Sequence, residues 1–313
     1  MPPRTTLAVT ALVLTLLAQS RAVIVANGDG TQNTTAPAND FGFANVGQVF
    51  DTADGIFIGG VYLGNGWMIS AYHGVRNGTG GFSFGQVILA GNLYTVESQS
   101  AVRLTTTPGN PADLAVFRLV GPEPNLPSVA LSGVTPPSMA SLAMAGNGRN
   151  RAATETHWNV NTLTEPDTWT VTPSPGDRQG YFYLPGATPR WGTNLRTADA
   201  LLTADTGSGV TTLFRTSFSN DATALPDEAQ GAPGDSGGGV FYHNGQNWEL
   251  AGIMLAVGQL NGQPAETAVF GNQTFIADVA TYRNEIVSIV PEPSTAMLAA
   301  LGVVALASRR RRR

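Results

Sequence analysis

Gly231-Ala232-Pro233-Gly234-Asp235-Ser236-Gly237-Gly238-Gly239-Val240-Phe241-Tyr242 passes from a glycine-crowded loop directly into an apolar strand. A nucleophilic serine on a tight loop needs glycines around it for two reasons. The backbone must take conformations closed to residues with a Cβ, and its N–H groups must converge on one point where an oxyanion would form. After the strand, His243-Asn244-Gly245-Gln246-Asn247 reads as a hairpin connection to Trp248-Glu249-Leu250-Ala251-Gly252-Ile253. Taken alone, the loop could equally be a Gly-rich turn between strands. Its weight depends on a base and an orienting acid elsewhere.

Only three imidazoles are available, His73, His157 and His243. His73 follows Gly66-Trp67-Met68-Ile69-Ser70-Ala71-Tyr72, a strand paired through the Asn65-Gly66 turn with Gly55 to Leu63. A histidine at a strand end can reach across a cleft with its ring free. Between His73 and Ser236, Asp113 opens the apolar run Leu114-Ala115-Val116-Phe117-Arg118-Leu119, where an acid is desolvated and able to hold an imidazole N–H. His243 reads as a solvated turn residue, and His157 has no motif around it. Neither has a His or acid at metal-ligand spacing, so no metal site is expected.

The order His73, Asp113, Ser236 resembles that of the chymotrypsin/trypsin-like serine peptidases. The serine loop is identical to that family's G-D-S-G-G, while the histidine and aspartate windows match in outline, and the outline extends from Val46 to Ile289. The resemblance implies an all-β fold of two packed β-barrels of the trypsin-like type with a C-terminal helix. It makes Ser236 the nucleophile, His73 the general base and Asp113 its orienting acid, with the backbone N–H groups of Gly234 and Ser236 as the oxyanion hole. Gln230, six residues before the nucleophile, would floor the substrate pocket, and Leu255, Ala256 and Val257 would line it, favouring small or neutral side chains. Asp227 and Glu228 would revive a basic preference if the register were shifted. Tyr72, Gly74 and Gly239 depart from the family pattern without touching a catalytic atom.

Composition agrees with this reading. The chain has 313 residues, 37 Gly and 20 Pro, with 42% apolar and 12% charged residues, which suits a turn-rich all-β protein. With no cysteine and no lysine, disulfides, thiolate zinc sites, cysteine nucleophiles and Schiff-base chemistry are excluded. Residues 23–290 carry 10 Arg against 21 acids, a net charge of −11 that disfavours a nucleic-acid partner. No cofactor is required by the chemistry. The prolines at 122, 124, 127, 136 and 137 mark a crossing between halves near 121–137, and 146–196 resists assignment. Asp278 as N-cap with Val279, Tyr282, Ile286 and Ile289 at helical spacing predicts a helix ended by Pro291.

The two ends read as addresses. Residues 1–22 carry Arg4, an apolar run from Leu7 to Ala18 and small residues at Ser20 and Ala22, the pattern of a secretory signal peptide. Residues 291–313 carry Pro291-Glu292-Pro293, an apolar stretch from Ala296 to Ala307 and five terminal arginines. This tail resembles the PEP-CTERM sorting signal, which implies an exosortase-type processing partner, membrane attachment through the tail, and delivery to the cell envelope or extracellular matrix. The expected function over residues 23–290 is a serine endopeptidase acting on polypeptides. The alternatives are an esterase on the same site and a non-catalytic binding module on a trypsin-like fold. Asp235, a carboxylate expected to be buried beside the nucleophile, needs a partner. In zymogen-type members of the family that the chain resembles, that partner is a freshly cut N-terminal amine. Val23-Ile24-Val25-Ala26 loosely resembles their start, which implies an amine freed at Val23 by cleavage after Ala22. The alternative is an internal Arg or loop N–H groups, as in relatives without a zymogen step.

Overall fold

The computed structural model describes residues 23–50, 57–77, 79, 81–83, 85–106, 109–186 and 188–290; the segments read above as leader and sorting tail lie outside the described residues. The short β1 (Ile24–Val25) precedes β2 (Val46–Phe50), β3 (Phe57–Gly64), β4 (Trp67–Ala71), β5 (Gln86–Leu89), β6 (Asn92–Val96), β7 (Val102–Thr106) and β8 (Asn110–Val120). These last seven pair in the order β4-β3-β2-β5-β6-β8-β7, and β4 also pairs with β8, so the sheet closes into a barrel. The β3–β4 turn has Asn65 and Gly66 at φ 52° and 79°, the two positive values that a two-residue hairpin turn demands.

The second half comprises β9 (Ser141–Gly146), β10 (Asn150–Arg151), β11 (Thr156–Asn161), β12 (Thr168–Thr172), β13 (Arg178–Leu184), β14 (Arg190–Leu195), β15 (Leu202–Asp205), β16 (Val210–Ser217), β17 (Ala229–Gln230), β18 (Gly239–His243), β19 (Trp248–Gly258), β20 (Thr267–Val269) and β21 (Gln273–Asp278). A second sheet runs β14-β9-β18-β19-β21-β16-β15, and a bridge between Arg196 and Thr216 brings the end of β14 back to β16. This is the second barrel. The segment that resisted assignment holds a third sheet, in which β13 pairs with β10, β11 and β20, and β11 pairs with β12. Residues 121–137 separate the last strand of one barrel from the first of the next, tied to both through Val129 N–H to Leu63 O and Leu250 N–H to Ala130 O.

Strand periodicity explains the core. In β8, Leu114 and Val116 point into a cluster shared by both barrels, with Phe241, Leu250, Ile253 and Ala277, while Ala115 and Phe117 fill the first barrel with Val49, Met68 and Val87. The second barrel repeats the device: Val240, Met254 and Ile276 point inward, and their neighbours Phe241, Ile253 and Ala277 point to the seam. A strand buried on both faces reads as a continuous apolar run, as β8 does. Asp113 does not open this strand, as the sequence suggested. Three residues of β8 precede it, and Asp113 lies wholly inside. The helix α1 (Val279–Ile289), the last described element, has the expected Asp278 cap, whose carboxylate accepts from Thr281 N–H and Oγ1, and it buries Val279, Tyr282 and Ile286.

Candidate active site

His73 sits at the centre of a single 3-10 turn, Tyr72–Gly74, immediately after β4. A Cβ on Gly74 would lie 2.5 Å from the Ile58 side chain, so the turn can pack this closely only with glycine there. Because Ala71 is paired with Leu114, the turn delivers His73 beside Asp113. The Asp113 carboxylate accepts the His73 backbone N–H at Oδ1 and faces His73 Nδ1 at Oδ2, each at 2.8 Å. Asp113 is fully buried, whereas the His73 side chain is 29% exposed. That pairing fixes the ring and leaves its other nitrogen free for chemistry.

Ser236 comes from the second barrel, on the loop between β17 and β18. Gly234 and Gly237 hold φ of 98° and 85°, values that L side chains rarely adopt. A Cβ on Gly237 would fall 2.1 Å from the Gly59 carbonyl oxygen. The close approach is used: Gly59 N–H donates to the Ser236 carbonyl at 2.7 Å, and Ser70 Oγ donates to the Gly59 carbonyl at 2.6 Å. The serine loop is thereby fastened to the first barrel at Gly59, whose carbonyl is held by Ser70, three residues before His73. The Ser236 hydroxyl itself donates to the Leu255 carbonyl at 3.1 Å rather than to His73. Side-chain contact therefore joins two of the three expected residues, and backbone contacts bring the third to the same seam.

Asp235 is buried, and its carboxylate accepts N–H groups from Ala232 at 2.8 Å and from Gly148, with a further backbone contribution from Asn147. A Cβ on Gly146 or Gly148 would overlap it, at 2.1 and 2.2 Å. Burial pushes its pKa up to about 7, against which these N–H donors and the more distant Arg190 charge pull down. Of the partners expected for Asp235, loop N–H groups are those in direct contact. Val23 is also fully buried, within the apolar cluster of Met144, Ala229 and Met254, and the next residue pairs with Gln230. Glu228 is a second buried acid on this side. It accepts from Ser219 and Leu225 N–H, and burial raises its pKa to about 7.

A cavity of about 320 Å³ opens beside Ser236. Leu255, Ala256 and Val257 line it, together with Pro233, Met254, Tyr183, Gln259 and Thr274. Gln230 is not part of its wall. That side chain is fully buried one step behind, donating from Nε2 to the hydroxyl of Tyr183. Sequence reading misses Tyr183 and Thr274 because β13 and β21 reach this loop only through tertiary packing, where Tyr183 meets Gln230 and Thr274 accepts Gly231 N–H, and nothing near them in sequence marks a pocket. Asp227 and Glu228 do not line the cavity either. The other two histidines lie elsewhere: His157 in β11 of the third sheet, and His243 at the end of β18 with its ring 5.2 Å from that of Trp248.

Residues 290–313 match the PEP-CTERM protein-sorting motif, the signal of an exported cell-envelope protein that is processed at its C-terminus. Among the described residues no helix is long and apolar enough to cross a membrane. No curated protein sequence matches the chain. Among solved structures, it is similar to the active form of the Rv3671c protease from M. tuberculosis, at 12% identity and a TM-score of 0.47, covering 83% of this chain and 91% of that one. It is also similar to a mutant of human heparin binding protein (CAP37), at 14% identity and a TM-score of 0.49, covering 81% and 95%.

Proposed function

We propose that the protein is an exported serine endopeptidase that cleaves polypeptides through an acyl-enzyme. The observation that carries this reading is the double hold of His73 on a fully buried carboxylate, 2.8 Å at each contact, in the seam to which the Ser236 loop is fastened. A buried charge held by an imidazole, a backbone N–H and one hydroxyl is costly as mere scaffolding, and it suits a group that must stabilise an imidazolium in the transition state. Ser236 Oγ turns from the Leu255 carbonyl to the free nitrogen of His73, which takes its proton as Oγ attacks the scissile carbonyl. The proton then passes to the leaving amine, and water repeats the sequence on the ester. The N–H groups of Gly234 and Ser236 receive the oxyanion. The cavity wall carries no charged side chain but Asp235, whose oxygens are taken up by backbone N–H groups, so a small or neutral substrate side chain fits best. Cleavage after Ala22 and exosortase-type processing near Pro291 would leave residues 23–290 as the mature enzyme, at the envelope or in the extracellular matrix.

A fluorophosphonate probe tests the reading. Labelling is expected at Ser236 in the parent and to be absent in a folded Ser236→Ala variant, which also loses hydrolysis. Turnover surviving in that variant would remove Ser236 from the mechanism. Matched peptide and ester panels separate a peptidase from an esterase.

A further inference from the structure

We propose that Thr206, in the β15–β16 hairpin of the second barrel, is a positioning residue that holds the Asp113 carboxylate in register with His73; the inference rests on the peptidase reading above. Its hydroxyl lies 2.9 Å from Asp113 Oδ2, the oxygen that also faces His73 Nδ1. Thr206 has one hydroxyl proton and two acceptors within reach, Oδ2 and the Gly209 carbonyl at 3.2 Å. The Gly209 carbonyl already accepts Thr206 N–H at 3.1 Å, so the nearer, charged oxygen takes the proton. A carboxylate sealed from water needs protein donors to disperse its charge, and Thr206 supplies one from the opposite barrel.

The hairpin is built to make this approach. Gly209 has φ 142°, and a Cβ there would lie 2.4 Å from the Pro111 carbonyl, so only glycine lets the hairpin lie against β8. Arg103 bridges the two, donating from Nε to the Ala112 carbonyl at 2.8 Å and from Nη2 to the Ser208 carbonyl. Thr211 accepts Asp113 N–H at 2.9 Å, and Thr106 Oγ1 donates to the Val210 carbonyl at 2.6 Å. Held from two sides at Oδ2 and by His73 N–H at Oδ1, the carboxylate cannot swing away from the ring. The charged and titratable groups around it are Arg103, stacked 3.8 Å over the Tyr72 ring, Asp205 at the hairpin base, and Tyr282, bonded to Thr106 and Thr212. Thr206 does not line the substrate cavity.

The test is Thr206→Val against Thr206→Ser, read by kcat, KM, the pH dependence of kcat/KM and the Nδ1 proton resonance of His73. Removing the hydroxyl lets Oδ2 swing from the ring, so the imidazolium is held less well by its carboxylate. Thr206→Val is expected to lose about tenfold in kcat with KM unchanged. The acid limb of its profile should move to lower pH and its Nδ1 resonance should shift, while Thr206→Ser restores all three. An acid limb and resonance that stay put, or a change confined to KM, would overturn the inference. Absence of probe labelling at Ser236 in the parent would instead defeat the peptidase reading, and the Nδ1 resonance, which needs no turnover, would still decide the role of Thr206.

Discussion

His73 grips Asp113 twice, through its backbone N–H to Oδ1 and its ring Nδ1 to Oδ2, both at 2.8 Å. The two contacts fix the distance and the rotation of the ring together, because the backbone contact anchors the carboxylate relative to the same residue whose side chain it orients. Asp113→Asn keeps this shape but turns an acceptor pair into one acceptor and one donor. With the Asn side-chain oxygen kept on the backbone N–H, its NH₂ faces Nδ1 and forces the ring into the wrong tautomer. We expect kcat to fall by about 10⁴ with little change in thermal stability, measured by steady-state kinetics and calorimetry.

The cavity beside Ser236 is narrowed by Val257 on β19 and Thr274 on β21. Val257→Gly removes bulk at a half-buried position without uncapping any hydrogen bond, since Thr274 Oγ1, not Val257, accepts the Gly231 N–H at 2.9 Å. A panel of peptides differing only at the residue before the cut should show the parent favouring alanine and valine over phenylalanine. The variant should gain roughly 10-fold in kcat/KM for phenylalanine relative to alanine. An unchanged ratio would place the pocket elsewhere.

Glu228 and Asp235 both titrate near pH 7 in the folded protein, against ordinary values of 4.5 and 3.8. Between those limits the folded chain holds protons that the unfolded chain has released. Their contribution to stability is therefore complete below about pH 4 and is lost as pH rises through about 7. Glu228→Gln cannot ionise, but its NH₂ faces one of the two N–H groups that Glu228 accepts, so it should lower the melting temperature at about pH 4, and that deficit should shrink at about pH 8. Equal differences at both pH values would mean that folding leaves the Glu228 pKa unshifted.

Removing residues 291–313 should release the protein from the envelope while leaving peptide hydrolysis intact, because α1 ends at Ile289 and its buried residues all precede the deletion. Fractionation and activity assays on the truncated protein check both halves. An exported but inactive product would make the tail part of the catalytic body.

Val23 is wholly buried where the mature chain would begin, and Asp235 accepts N–H groups but, among the described residues, has no cation in direct contact. An amine freed at Val23 would add that cation and draw Asp235 back towards the ordinary carboxylate range. A form extended by one residue before Val23 is expected to lose activity, checked by N-terminal sequencing and kinetics side by side. Full activity in the extended form would leave the loop N–H groups as the whole support of Asp235.

What the chain declares by itself is local in origin. The glycines around Ser236 announce a loop because only residues without a Cβ take φ near 98° and 85° there. The Asp278 cap and the spacing of Val279, Tyr282 and Ile286 announce a helix because cap and stripe both lie within one short segment. The apolar run Leu114-Ala115-Val116-Phe117 announces a strand, while its burial on both faces follows from the packing of the two barrels. The tertiary structure alone decided the rest. The third sheet was illegible because β13 finds its partner β20 at Thr267–Val269, and a strand with one solvated face shows little apolar signal. Gln230 has the spacing of a pocket floor, yet Tyr183 stands in front of it, brought there by that same distant pairing. Thr206 looks like an ordinary turn residue between Asp205 and Gly207. It meets Asp113, 93 residues away, only because two barrels close separately and pack with one hairpin laid across the seam. Backbone conformation and capping are settled by neighbours in sequence, whereas the shell of a buried charge is settled by whichever donors packing brings to it.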